Sequence, residues 1–298
     1  MFKNYIYSLI DNIDQTNIPK NINIIIDGGA FAGGQLTGCL NYIKELERLK
    51  LTKVNKISGC SVGALLGYMY LTDTLSYAPR YFNILLSEAR KKVQLKKITK
   101  LIKLHINNTD YKSVNNKLYI SYNNIDTLEH IIISQFNSQK EIIDKLISSS
   151  FIPLLFDGKI QYKNKYCDGI TPYIFNKSNN SNLFISLVNL YDFKEMIYCK
   201  NDVNIWHRQF VGLDDIHCFF KNTNKASKFC SFIENWKITD FIMFGIRELI
   251  HMIIIIILKY YSLIYSYINI YIKDNIFYKR INSFIILLIQ RFFSYNIF

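Results

Sequence analysis

The sequence is short of acid. Of 298 residues, 36 are Lys or Arg and 23 are Asp or Glu, a formal charge of +13. An excess of that size calls for a partner of negative charge, anionic lipid or nucleic acid. Ile, Asn, Lys and Tyr are abundant, a bias that AT-rich coding DNA also produces, so part of the excess is compositional. Paired cysteine is lacking too. Cys39, Cys60, Cys167, Cys199, Cys218 and Cys230 are scattered, with no Cys-x-x-Cys and no His pair at zinc-ligand spacing. That argues against a structural zinc site and a disulfide scaffold, and for a reducing compartment. The first ten residues hold no signal-peptide core, and Asp11 and Asp14 follow at once, so no secretory signal is read. The Asn-x-Ser/Thr matches at Asn107, Asn176 and Asn179 are accordingly read as chance.

Half of the residues are apolar, enough for a sizeable core. Asn21 to Ile26 reads as a buried strand ending at Asp27. A glycine turn follows, Gly28-Gly29-Ala30-Phe31-Ala32-Gly33-Gly34, and then a helix from Gln35 to Lys50. In that helix Leu36, Leu40, Ile43, Leu46 and Leu49 recur at three and four, marking one inward face. Val54 to Ser58 is the next strand, and Ala64 to Leu71 the next helix. Strand, turn, helix, strand, turn, helix is the pattern of an α/β domain with parallel strands. The glycine turn is not a nucleotide site. Ala30 stands where the dinucleotide fingerprint needs its second glycine, and no Lys follows the last glycine as a P-loop requires. What remains is a run of backbone N–H groups at a helix start, able to cradle an anion or an oxyanion.

The stretch Ile57 to Ala64 contains Gly59-Cys60-Ser61-Val62-Gly63, a Gly-x-Ser-x-Gly sequence between a strand and a helix. A Ser on such a sharp turn is exposed for attack on a carbonyl, and the glycines permit the turn. Taken alone, the same pattern also fits a turn with a solvent-facing Ser. Farther on, Glu141 to Ser150 reads as a helix. After it come Phe151-Ile152-Pro153-Leu154-Leu155-Phe156, a hairpin turning at Asp157-Gly158, and Tyr166-Cys167-Asp168-Gly169. Asp168, ending a short strand before glycine, is either a buried, well-placed carboxylate or an ordinary Asp-Gly turn.

Ala78 to Leu104 looks helical, with Arg90, Lys91, Lys92, Lys96, Lys97, Lys100 and Lys103 opposite an apolar stripe. The choice there lies between a solvated face over a core, which is preferred, and a surface helix on anionic membrane. Asn107 to Asn124 reads as polar loop with a short strand at Leu118 to Ile120, and Leu183 to Leu190 as another strand; Asn201 to Trp236 shows no clean pattern. Leu249 to Ile272 is apolar apart from His251 and Lys259, with five tyrosines at 260, 261, 265, 267 and 271, and a second apolar run spans Phe284 to Ile289. As a helix the first run is long enough to cross a bilayer. Lys259 near its middle favours an interfacial or core-packed helical hairpin instead.

In order, the glycine-rich motif Asp27 to Gly33, the Gly59 to Gly63 elbow and Asp168-Gly169 resemble the patatin-like phospholipase family. Gly38 in the following helix and the run Ser148 to Phe156 agree with it, and the resemblance covers roughly Ile22 to Leu190. It implies a three-layer α/β fold, with a central, mostly parallel sheet flanked by helices, and a Ser–Asp dyad without an essential His. Ser61 is then the expected nucleophile and Asp168 the base. Gly28, Gly29 and Ala30 frame the oxyanion hole, and Gly33, Gly59, Gly63 and Gly169 are the motif glycines. The expected reaction is hydrolysis of a fatty acyl ester of phospholipid or glycerolipid, with no metal or organic cofactor implied and no nucleic acid partner. The expected setting is intracellular and membrane-associated, at an anionic surface. Residues 1–20 read as an N-terminal segment, 21–236 as the acyl hydrolase domain and 237–298 as a hydrophobic, basic helical region. Ala30, Ala32 and Ile170 depart from the family pattern. They keep open an inactive membrane-associated scaffold, while His207 or His217 keeps open an α/β-hydrolase triad with Ser61 and Asp168.

Overall fold

The computed structural model describes residues 2–89, 95–106, 110–155, 159–188, 204–221 and 227–272, with single positions at 280, 284 and 287. Its centre is a mixed sheet of strands β1 (Asn21–Ile26), β2 (Lys53–Cys60), β3 (Leu118–Asn124), β4 (Glu129–Ile133), β5 (Tyr166–Asp168), β6 (Ser181–Ile185) and β7 (Cys230–Phe232). The order is β4-β3-β2-β1-β6-β7, with β5 paired to β3 off this path. The pairs β1/β2, β1/β6 and β2/β3 are parallel; β4, β5 and β7 join antiparallel. Parallel strands are covered on both faces, and β1 is buried from Ile22 through Ile26.

The faces carry different cores. Ile24 and Ile26 of β1, Ile57, Leu118, Ile120, Leu183 and Ile185 pack with α2 (Gly33–Arg48), α3 (Val62–Leu71) and α7 (Trp206–Lys221). Alternation sends Ile25 and Phe184 to the other face, where they meet Phe175, Ile233, Trp236 and Phe244. Phe244 belongs to α8 (Ile238–Ile272), a helix of 35 residues, which at 1.5 Å per residue is about 52 Å long. Helices on one face and α8 on the other give three layers. The remaining helices are α1 (Phe2–Ile10), α4 (Ala78–Ala89), α5 (Leu95–Ile106) and α6 (Gln139–Ser149).

Several elements depart from the sequence reading. The expected helix at Ala78 to Leu104 is two, α4 and α5, with residues 90–94 outside the described part. On α5, Lys96, Lys97, Lys100 and Lys103 are exposed while Ile102 and Ile106 are buried, a solvated face over a core stripe. The expected short strand at Leu118 to Ile120 runs on to Asn124, because Ser121 and Asn123 are polar residues buried in the sheet. The patternless stretch 201–236 supplies α7 and β7. The turn at Asp157-Gly158, positions 189 and 190 of the expected strand, and most of the second apolar run lie outside the described residues.

Candidate active site

Strand register brings the two halves of the site together. The last residue of β2, Cys60, pairs with Ser121, and the last residue of β5, Asp168, pairs with Tyr122. Ser121 and Tyr122 are consecutive on β3, and β4 occupies the other edge of that strand. Strands more than a hundred residues apart therefore arrive end to end along one edge of β3. Ser61 follows the end of one and Asp168 closes the other.

Ser61 is the residue before α3, with φ 53° and ψ −131°, and is 7% exposed. Only a tight turn produces this left-handed backbone in a non-glycine residue. Its flanks must be bare. A Cβ at Gly59 would press on the Gly63 carbonyl and Ala64 N, and one at Gly63 on the carbonyls of Ile26 and Asp27. Ser149, at the end of α6, fixes the turn. Its Oγ accepts the Ser61 N–H at 2.9 Å and donates to the Ser121 carbonyl at 2.6 Å.

Asp168 is 6% exposed. Its N–H donates to the Phe151 carbonyl at 2.9 Å, and its Oδ1 accepts the Ile170 N–H at 2.8 Å. Burial pushes its carboxyl up to about 6, opposed by hydrogen bonding from the Ser61 side chain and the Ile170 N–H, with the Asp27 carboxylate adding to the rise. A carboxylate of raised proton affinity against a serine hydroxyl is a base placed to take that proton. Gly169 is required because a Cβ there would overlap the Ser121 carbonyl. Asn123 Nδ2 donates to the Asp168 carbonyl oxygen at 2.5 Å and lies 2.9 Å from His251 Nε2 on α8.

The glycine loop lies across from the serine. A Cβ on Gly28 would sit 3.6 Å from the Ser61 Cβ. The Gly28 N–H is engaged by Asp27 Oδ1 at 2.8 Å. The loop's own turn bond runs from the Ala32 N–H to the Gly29 carbonyl at 2.8 Å, so it uses the N–H of neither Gly29 nor Ala30. Asp27 is fully buried and also accepts from Ser186 Oγ at 2.6 Å and from Arg247 Nη1 of α8. Ala30 has φ 43° and Ile170 φ 53°, both in the region that favours glycine. Gly33 opens α2 under the Phe82 ring, where a Cβ would overlap.

The structure thus brings together Ser61, Asp168, Gly28 and the glycines around them. Asp27, Asn123, Ser149, Arg247 and His251 complete the arrangement without having been given roles from sequence. His207 and His217 both ride on α7; His217 Nδ1 lies 3.3 Å from the Tyr42 hydroxyl. Among the described residues no histidine hydrogen-bonds to Ser61 or to the Asp168 carboxylate, and no group of three or more His, Cys, Asp or Glu is arranged to hold a metal.

No protein-family model matches the chain. Curated proteins do. Over 145 residues it is 30% identical to human Patatin-like phospholipase domain-containing protein 2, which covers 45% of this chain and 29% of that protein. Over just under half of its length the chain resembles a patatin-like protein. Human Omega-hydroxyceramide transacylase is 22% identical over 142 residues, 44% of this chain and 27% of its own length. The mouse protein of the same name is 22% identical over 161 residues, 49% of this chain and 26% of its own. The chain thus spans less than a third of the length of these relatives.

Proposed function

We propose that the protein is a lipid acyl hydrolase acting through Ser61 and Asp168. The carrying observation is a serine in a left-handed turn at the head of α3, set by the β3 register beside the strand end that bears a buried carboxylate of raised proton affinity. Asp168 takes the Ser61 proton as Oγ attacks the ester carbonyl, and the oxyanion forms against the N–H groups of Gly29 and Ala30, with the Gly28 N–H committed to Asp27. Collapse expels the alcohol, which receives the proton from Asp168, and leaves an acyl-serine. Water, deprotonated by Asp168, then releases the fatty acid and restores Ser61. The relatives, by name a patatin-like phospholipase domain-containing protein and a transacylase, support an acyl group as the unit handled.

The substrate class is phospholipid or neutral glycerolipid met at a membrane surface. α8 supports this reading. Ile238–Ile264 is long and apolar enough to cross a membrane, and in its apolar window 11% of the residues are buried. Its inner face is held by the protein through Arg247, His251 and Ile255, so the helix is read as lying on the surface with the outer face toward lipid.

The test is covalent labelling. Wild type should react with a fluorophosphonate probe and hydrolyse short acyl esters. Ser61→Ala, folded, should do neither, and Asp168→Asn should lose turnover by at least about a hundredfold, the scale of a general base. A folded wild type that neither labels nor hydrolyses would leave the inactive scaffold as the reading.

A further inference from the structure

We infer that α8 aligns the candidate site: Arg247 positions the glycine loop and His251 positions the Asp168 strand. The activity arm of this inference rests on the acyl-hydrolase reading above; its geometry does not. The two residues are four apart, one helical turn, and so share a face. Arg247 Nη1 and Ser186 hold Oδ2 of Asp27, while Oδ1 of the same carboxylate holds the Gly28 N–H. Gly28 in turn lies against Ser61. Asp27 is fully buried, and a buried carboxylate stripped of its cation is strongly disfavoured. The loop's anchor is therefore only as fixed as the guanidinium that neutralises it.

One turn on, the Asn123 amide spends both hydrogens, one on the Asp168 carbonyl and one on His251 Nε2. The opposite amide orientation would set its oxygen against that carbonyl oxygen, so the donor assignment is determined. His251 Nε2 is then an acceptor, and the imidazole is neutral with its proton on Nδ1. His251 thereby orients the amide that holds the end of β5. A further turn along, Ile255 packs on Cys167, the neighbour of Asp168, and on Ile125. One rigid helix thus touches both halves of the site through separate side chains and sets their spacing. Lys259, bonded to the Asp126 carbonyl at 2.7 Å, and Ser262, bonded to Gln161 at 3.2 Å, continue the same inner face away from the site.

If these contacts served only to dock α8, their loss would lower stability and leave the site's geometry unchanged. Full-length Arg247→Met, Arg247→Lys, His251→Phe and His251→Gln separate the two roles. Amide exchange by mass spectrometry would be read over residues 27–34 and 164–170, beside fluorophosphonate labelling and kcat and KM on a soluble short acyl ester. Arg247→Met should speed exchange in 27–34 by about tenfold, the signature of local opening. It should slow labelling and kcat by about 10²-fold with KM little changed, as for a small misplacement of catalytic groups. Arg247→Lys, keeping the charge, should fall between. His251→Phe should have the same effects, with exchange rising in 164–170, and His251→Gln, whose amide oxygen can accept from Asn123, should restore most of the rate. If Arg247→Met does not fold, Asp27→Asn/Arg247→Met leaves no buried unpaired charge and should still open 27–34. A wild type that does not label overturns the hydrolase reading, and exchange alone then decides the inference. Folded variants with wild-type exchange in both segments overturn it, whatever their activity.

Discussion

Three residues with left-handed backbone surround the candidate site, and none is glycine: Ala30, Ser61 and Ile170. At Ser61 the strain serves the turn. At Ala30 and Ile170 the chain departs from the family pattern where a Cβ is costly, about 1–2 kcal/mol each. Yet the backbone still takes the turn at both positions, so these departures do not displace Ser61 or Asp168. The titration of Asp168 gives the sharper expectation. Its folded value of about 6 lies above the ordinary carboxylate value. The protonated form is favoured by the fold, so its stabilising contribution is complete at acid pH and is lost as pH rises through about 6, roughly 3 kcal/mol in all. On the proposed mechanism activity runs the other way, because Asp168 acting as base must be ionised to take the Ser61 proton. The acid limb of kcat/KM should therefore have its midpoint near 6, and Asp168→Asn should be more stable than wild type at neutral pH while inactive. A limb near the ordinary carboxylate value would assign the titration to another group.

Among the helices, α2 and α7 approach each other closely at glycines. A Cβ on Gly38 would overlap the Gln209 carbonyl, and one on Gly212 would overlap the Gln35 carbonyl. The contact is reciprocal: each helix offers a glycine to the other's backbone, and Cys39 Sγ donates to the Gly212 carbonyl at 3.1 Å. Gly38 was visible in the sequence as a glycine inside a helix, a feature with a small intrinsic penalty. Its partner lay in a stretch with no clean period, so the reason for it could not be read. Gly212→Ala should push the helices apart and destabilise by about 1–3 kcal/mol, the scale of overpacking a tight core, measurable as a lower midpoint in urea. An unchanged midpoint would mean that α7 shifts freely. The second element-scale expectation concerns His251, which burial, with His130 and Arg247 nearby, pushes down to about 4. Its folded value lies below the ordinary one, so the stability it represents is full above about 6.5 and is lost as pH falls toward 4. His251→Gln should flatten acid unfolding between those values, and a wild-type acid transition in that variant would place the lability elsewhere.

For the molecule as a whole, the sequence carried the first half of the fold and both members of the candidate pair. There the period of the apolar residues and the glycine turns coincide with the elements. It carried less where polar residues are buried. Asn123 breaks the apolar run of β3 because its amide is used inside, serving Asp168 and His251; Ser121 breaks it with a buried hydroxyl that has no hydrogen-bond partner among the described residues. Arg247 and His251 had one signal, polar residues spaced by four in an otherwise apolar helix, but which face they mark follows only from the fold. The same helix leaves Ile242, Ile246, Ile253 and Ile257 exposed on its other sides. Fully burying a side chain of this kind is worth about 1.5–3 kcal/mol, so an uncovered row of them is a strong reason for lipid contact. Full-length protein should float with vesicles, more with anionic than neutral lipid and less as salt rises, because Lys96, Lys97, Lys100 and Lys103 are exposed on α5. Ile253→Glu/Ile257→Glu should lower vesicle binding by about 10²-fold or more on the same scale. Hydrolysis of vesicle lipid should fall with it, and turnover of a soluble short-chain ester should not, since neither side chain touches the inner face. If the double variant floats like wild type, this face does not meet lipid. If wild type instead self-associates in solution and the variant is monomeric, the row is an interface between copies of the chain.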